Sequence, residues 1–299
     1  MEDTGRDFFH AFFAGEARDF LLRGVDMALE EDGPDLTSNG VFAEADTLSA
    51  DLIAKESTLV AGLPLAEVIL ERLGAADRVQ VKQYAPEGAL VESGDCVCRL
   101  EGSARSILQA ERVVINYVAH LSGIADLTAG LVQRLRGTGT VLLDTRKTLP
   151  CLRYPEKYAV RLGGGENHRM NLTQMLMLKD NHLDRCGGIN RAVNLLRQAY
   201  SPCPPIVVEC RTLKEVEQAV AVGVERILLD NMGPEDLSRA LRRVPAGIQT
   251  EISGGVDEEN IGELAGLGAD YISAGRLTNA ARSRDFSLRS ELTRAPSGG

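Results

Sequence analysis

The pattern of apolar and polar positions divides the chain into four stretches. Residues 1 to about 75 read as helical, broken at Glu30-Glu31-Asp32-Gly33-Pro34-Asp35, where Gly and Pro together end a helix. From Val79 to Leu100 the pattern shortens to strand-like runs, Val79-Gln-Val81, Ala89-Leu-Val91 and Cys96-Val-Cys98, divided by turns at Pro86-Glu-Gly88 and Ser93-Gly-Asp95. Residues 104 to 136 carry the strongest helical period. Ile107, Val114, Val118 and Leu121 define its apolar face, and Arg105, Gln109, Arg112, Asn116 and His120 form a polar stripe at spacings of 4, 3, 4 and 4. Such a stripe reads by itself first as a solvated face and second as a row of groups presented to a ligand.

Beyond Thr140 the form repeats. Six short aliphatic runs end at Arg146, Lys179, Glu209, Asp230, Ser253 and Ser273, separated by 33, 30, 21, 23 and 20 residues. Helix-like segments fill the later gaps, at 212–220, 234–241 and 257–264. This alternation predicts parallel strands with right-handed crossovers. An open, doubly wound sheet would spread the strand ends in a row, whereas a (β/α) barrel gathers them around one mouth. The chemical character of the six ends favours a barrel, shortened to six strands. The expected class is therefore α/β, a shortened (β/α) barrel at 116–279 with a smaller N-terminal α+β domain at 1–115. The segment from about 280 to 299 is expected to return to the smaller domain, with 294–299 as a frayed tail.

Composition adds exclusions. Hydrophobic residues at 44% and charged residues at 25% are ordinary for a folded protein, and 299 residues allow a large domain with a small one. With 33 Lys plus Arg against 43 Asp plus Glu, the net charge of −10 argues against general binding to nucleic acid or anionic membranes. The acidic start, Met1-Glu2-Asp3, is followed by no uninterrupted apolar segment, so no secretory signal or membrane span is expected and the protein is placed in the cytoplasm. The six cysteines form no CxxC pair and no zinc spacing, and are expected to be reduced structural thiols.

Within this acidic chain, residues 144–185 hold eight Lys or Arg against five Asp or Glu, a surplus of +3 that leaves −13 elsewhere. His168, His182 and Gly163-Gly164-Gly165 lie in the same stretch. Concentrated cations point to a small, highly charged anionic ligand held by Arg forks and Lys point charges. Glu209 and Asp230, lone carboxylates ending aliphatic strands, suit Mg²⁺ shared with a substrate diphosphate, and equally a solvated strand end and a helix N-cap. Ser253-Gly254-Gly255 and Ser273-Ala274-Gly275 could offer backbone N–H groups to a phosphate, or be plain turns. His182 fits a loop-orienting role better than catalysis, and Lys179 at a strand end would also suit a Schiff-base aldolase. A silent phosphosugar-binding subunit is a third reading.

The run Asp144-Thr-Arg-Lys-Thr148, with Glu156-Lys-Tyr-Ala-Val160, Gly163-Gly-Gly-Glu-Asn-His-Arg169 and Lys179-Asp-Asn-His182, resembles the quinolinate phosphoribosyltransferases, the carboxylating nicotinate-nucleotide pyrophosphorylases. The likeness extends to Ala110-Glu-Arg112 with Asn116, Leu121-Ser-Gly-Ile-Ala125, Ile227-Leu-Leu-Asp-Asn231, Ile252-Ser-Gly-Gly255 and Gly275-Arg-Leu-Thr278, and so spans nearly the whole chain. The resemblance implies transfer of the phosphoribosyl group of phosphoribosyl pyrophosphate (PRPP) to quinolinate with decarboxylation, giving nicotinate mononucleotide, CO₂ and diphosphate in NAD biosynthesis. It implies Mg²⁺ as cofactor and a homodimer, or a dimer-based oligomer, whose active sites are shared between subunits. Arg146, His168, Arg169 and Lys179 would bind the quinolinate carboxylates, joined by Arg112 from the neighbour. Lys147, Glu209 and Asp230 would face PRPP and its Mg²⁺, with Ser253, Gly254, Gly255, Ser273 and Gly275 at the phosphate. Leu149 and Cys151 stand where Thr and Gly are common in the family, and Arg276 and Asn279 where Ala and His are.

Overall fold

The structure is a computed structural model in which residues 4–293 are described, so the tail expected at 294–299 lies outside the described residues. The chain divides into two compact units. Among the described residues, the first holds 4–127, Leu149–Gly164 and 280–293, and the second holds Thr128–Thr148 and Gly165–Asn279.

The first unit is built on an antiparallel sheet whose strands are β1 (Thr47–Ala54), β3 (Val79–Gln83), β5 (Cys96–Ser103) and β12 (Phe286–Thr293), in the order β12-β1-β5-β3. A two-stranded ribbon, β2 (Thr58–Leu59) with β4 (Leu90–Val91), accompanies it. The helical expectation for residues 1 to about 75 fails at β1, where Leu48, Ala50 and Leu52 are buried in alternation. That period of two turns every second side chain into the core, which a helix cannot do. The segment Leu149–Gly164 belongs here because Tyr158, fully buried, lies against the rings of Phe8, Phe9, Phe12 and Phe13 at 5.2–5.6 Å. Its hydroxyl donates to Glu87 at 2.6 Å, and Glu87 accepts the N–H groups of Gly62 and Leu63.

The second unit contains β6 (Val141–Leu143), β7 (Leu176–Leu178), β8 (Ile206–Cys210), β9 (Arg226–Asp230), β10 (Gln249–Ser253) and β11 (Tyr271–Ser273), all parallel. Their order is β6-β11-β10-β9-β8-β7. The first strand thus pairs with the last, as a sheet rolled into a barrel requires, and the seam lies between β6 and β7. Glu166 pairs with β6 through two backbone hydrogen bonds, its N–H to Leu142 and its carbonyl to the Asp144 N–H. Every residue of β8 is buried, as expected of a parallel strand covered on both faces. The helix Leu213–Val222 starts from a capping box of Thr212 and Glu215, and Pro234–Leu241 from a Pro in its first turn. The helix expected at 257–264 is shorter, Ile261–Ala265, because the Asp257 carboxylate accepts the N–H groups of Glu259 and Asn260 and holds a turn instead.

The helix Ala104–Arg134 is buried well beyond its predicted apolar face, since Val113, Ile115, Tyr117 and Ala119 are also covered. All six cysteines are free thiols, and burial pushes Cys98 and Cys210 up to about 12. Cys151 departs from the structural expectation because it is exposed. It also adopts φ 66°, a left-handed conformation that glycine takes without cost, which accounts for the Gly common at this position in the resembling family. Among the described residues no helix is long and apolar enough to cross a membrane.

Candidate active site

A cavity of about 470 Å³ opens in the second unit at the carboxyl ends of its strands. All six predicted strand-end residues, Arg146, Lys179, Glu209, Asp230, Ser253 and Ser273, line it. So do Lys147, His168, Arg169, Gly254 and Gly255. Gly275 is outside the lining, and so is Arg112, an exposed residue that belongs to the first unit. The surplus of cations over 144–185 is only partly concentrated here. Arg153, Lys157 and Arg161 belong to Leu149–Gly164 in the first unit, and none of Gly163, Gly164 and Gly165 lines the cavity.

One side of the cavity is cationic. The Arg169 guanidinium donates to the Met175 carbonyl at 2.8 Å and is held below its ordinary basicity, first by burial and then by the Arg146 charge beside it. Two guanidinium groups brought together while partly desolvated favour an anion placed between them. Asp144, fully buried, organises this wall by accepting from the Asn167 side chain at 2.6 Å and from the His168 backbone N–H at 2.8 Å. Lys179 reaches across to Glu209, Nζ to Oε2 2.7 Å. The His182 Nδ1 accepts the Lys179 N–H at 3.0 Å, which is the loop-orienting role expected for it.

Another part of the lining is built from backbone. Gly254 has φ 95° and a side chain there would stand 2.2 Å from the Asn231 Oδ1, while Asn231, itself at φ 52°, donates its N–H to the Ser253 carbonyl at 2.9 Å. Conformation and space both demand glycine, so Gly254→Ala is expected to displace this loop and weaken binding of a phosphate ligand by about tenfold or more. Isothermal calorimetry with PRPP checks it; unchanged affinity would contradict the placement of the phosphate. At Gly275 a Cβ would meet the Lys147 Cδ at 2.9 Å, so this glycine leaves room for the lysine stem rather than forming the cavity wall. Arg276 and Asn279 lie outside the cavity lining, so these two departures from the family pattern leave its lining intact.

Five lining residues were not singled out by sequence: Thr145, Met177, Leu228, Asn231 and Glu251. Glu251 left a signal, a carboxylate in the middle of a strand and two positions before Ser253, hence on the same face. A larger cavity of about 720 Å³ lies within the first unit, lined by Gly24, Met27, Tyr117, His120 and Cys151 among others. It lacks any Lys or Arg, and its His120 is already bonded to the fully buried Glu156 at 2.8 Å. The cationic cavity is the better candidate for anion chemistry.

The comparisons agree with this geometry. Residues 35–122 match the family model of the quinolinate phosphoribosyl transferase N-terminal domain, and residues 124–289 that of the C-terminal domain. The nicotinate-nucleotide pyrophosphorylase [carboxylating] of Mycobacterium leprae is 36% identical over 278 residues, covering 91% of this chain and 96% of the relative. The human protein of the same name is 37% identical over 270 residues, covering 89% and 90%. The crystal structure of NadC from Streptococcus pyogenes superposes with a TM-score of 0.85 at 38% identity, covering 91% of this chain and 96% of that one. With both domain models matched in order and relatives above 30% identity along most of its length, the chain belongs to the quinolinate phosphoribosyltransferase family.

Proposed function

We propose that the protein transfers the phosphoribosyl group of PRPP to the ring nitrogen of quinolinate, releasing diphosphate and CO₂ and forming nicotinate mononucleotide. The observation that carries this reading is the pair Arg146 and Arg169, crowded at one wall of a barrel mouth and calling for a compact dianion. These two and Lys179 receive the quinolinate carboxylates, with His168 beside them. Lys147 and the Ser253–Gly255 loop, with Ser273, lie on the PRPP side, and Gly275 makes space for the Lys147 stem. Arg112 of the partner subunit completes the acceptor site in a homodimer, a reading supported by Arg112 belonging to the first unit and by its absence from the cavity lining. The protein is proposed to work in the cytoplasm.

Glu209 and Asp230 are hard oxygen donors on neighbouring strands and line the same cavity. Glu209 already holds Lys179, Asp230 accepts from the Asn231 amide at 2.9 Å, and among the described residues no cluster of three or more His, Cys, Asp or Glu could hold a metal alone. This donor set fits Mg²⁺ completed by diphosphate oxygens and water, the usual habit of that ion. When bound, Mg²⁺ would offset charge on the departing diphosphate.

The protein's own groups do the rest. The cationic wall fixes the pyridine by its carboxylates so that the nitrogen faces C1 of the ribose, replacing a bimolecular encounter by a held geometry. The N–C1 bond forms as the C1–oxygen bond to diphosphate breaks, and Lys147 stabilises the charge left on the leaving group. Nitrogen is then a pyridinium, able to accommodate the electron pair left at C2 when CO₂ departs, and a proton from solvent replaces it.

The direct test is release of diphosphate and CO₂ from quinolinate and PRPP; turnover of neither defeats the proposal. Variants separate the two halves of the site. Asp230→Asn is expected to lower Mg²⁺-dependent use of PRPP by about tenfold or more while leaving the quinolinate Kd within about twofold, since nothing ties Asp230 to the cationic wall. Glu209→Gln is expected to change both affinities, because it also releases Lys179.

A further inference from the structure

Glu251 is fully buried on the floor of the cavity, and the reaction described above gives it no task. Two basic side chains converge on its Oε2. The Arg226 Nη1 lies at 3.1 Å, with that guanidinium braced by Gln249 Oε1 at 3.0 and 3.2 Å and stacked on the Tyr271 ring at 4.0 Å. The His168 Nε2 lies at 3.4 Å, close enough for electrostatic attraction though outside hydrogen-bond geometry. Burial would by itself raise the Glu251 carboxyl, yet it is held below the usual carboxylate range by His168, by the Ser273 hydroxyl and by Arg226.

The other ring nitrogen of His168 decides the tautomer. Its Nδ1 is 2.7 Å from the Arg169 backbone N–H, which can only donate, so Nδ1 carries no proton and the ring proton sits on Nε2, facing Glu251. Both ring nitrogens are therefore directed at protein groups. Through Nδ1 the imidazole holds the backbone of Arg169, the residue whose guanidinium forms the cationic wall.

We propose that Glu251 is a positioning residue for quinolinate: it holds His168 in the Nε2–H tautomer, and His168 in turn fixes the backbone of Arg169. The inference rests on the quinolinate reading for its ligand, but its structural half stands without one. A histidine with its proton on Nδ1 would set donor against donor at the Arg169 N–H and push that backbone out of place. The arrangement is that of a ligand-binding group oriented by a buried carboxylate and histidine behind it, where loss of the support costs about tenfold to a hundredfold in affinity.

Two measurements test it. Nitrogen-15 NMR of the ligand-free wild-type protein, with the His168 signals assigned by their absence in His168→Asn, should show a pyridine-like Nδ1 and a protonated Nε2. A proton on Nδ1, or a freely averaging ring, overturns the proposal whether or not any variant folds. Calorimetry on Glu251→Gln should show quinolinate affinity lowered about tenfold or more with PRPP affinity within about twofold of wild type. Unchanged quinolinate binding, or equal loss for both ligands, also overturns it. Wild-type protein that bound no quinolinate would instead defeat the functional reading, and the tautomer would still be decided by the spectrum.

Discussion

Nicotinate is expected to be turned over far less efficiently than quinolinate, by about two to three orders of magnitude in kcat/KM. Nicotinate lacks the 2-carboxylate, so part of the wall formed by Arg146, Arg169 and Lys179 would close over the ring without a counter-charge. Breaking one partly buried charge pair costs about 2–5 kcal/mol, which sets the scale of that discrimination. The Arg169 guanidinium, already less basic than usual because of burial and of Arg146, has the most to lose. Steady-state assays with the two acids at matched PRPP check it, and equal turnover would remove the basis for assigning this wall to a dianion.

Arg112→Ala and Lys147→Ala are each expected to be nearly inactive alone, yet to regain activity when unfolded and refolded together. Lys147 lines the barrel cavity, while Arg112 is an exposed residue that belongs to the other unit. In a two-fold dimer each subunit lends the same surface to its partner, so a mixed dimer carries one site with both residues intact. The other members of the polar stripe sharpen the choice of Arg112. Arg105 donates to the carbonyls of Asn39 and Phe42, and His120 is bonded to Glu156, so both have tasks inside their own unit. Assays on the isolated heterodimer are the measure. No recovery there would place Arg112 in its own chain's site, or require both sites to be intact together.

The barrel was legible along the chain because its strands are local, contiguous and chemically marked. Each of the six aliphatic runs became a strand ending within three residues of its expected end, and the residues ending them meet at one mouth because parallel strands all point the same way. The capping residues that start the intervening helices are equally local signals, visible at Thr212 and Pro234. Where local signals competed, reading along the chain failed. At β1 a strict alternation lay inside a stretch of helices, and at Asp257 a side chain satisfied the backbone donors that a helix would have used.

Residue type and order were enough to specify strand count, the charge of the mouth and the family, since hydrophobic period and motif spacing are properties of neighbouring residues. Other features depended on residues far apart in sequence. Leu149–Gly164 follows the Asp144-Thr-Arg-Lys-Thr148 run directly, yet belongs to the first unit because Tyr158 finds its aromatic partners near the amino terminus and its hydrogen-bond acceptor at Glu87. That membership removes three cations from the site that the charge count had included. Lys179 and Glu209, read as serving separate ligands, proved to be bonded to each other across adjacent strand ends. The line from Arg226 through Glu251 and His168 to the Arg169 backbone joins β9, β10 and the segment before β7. Pattern along a chain records which face a residue presents; only closure of the sheet decides which other side chains share that face, and with them the tautomer, charge and reach of each group.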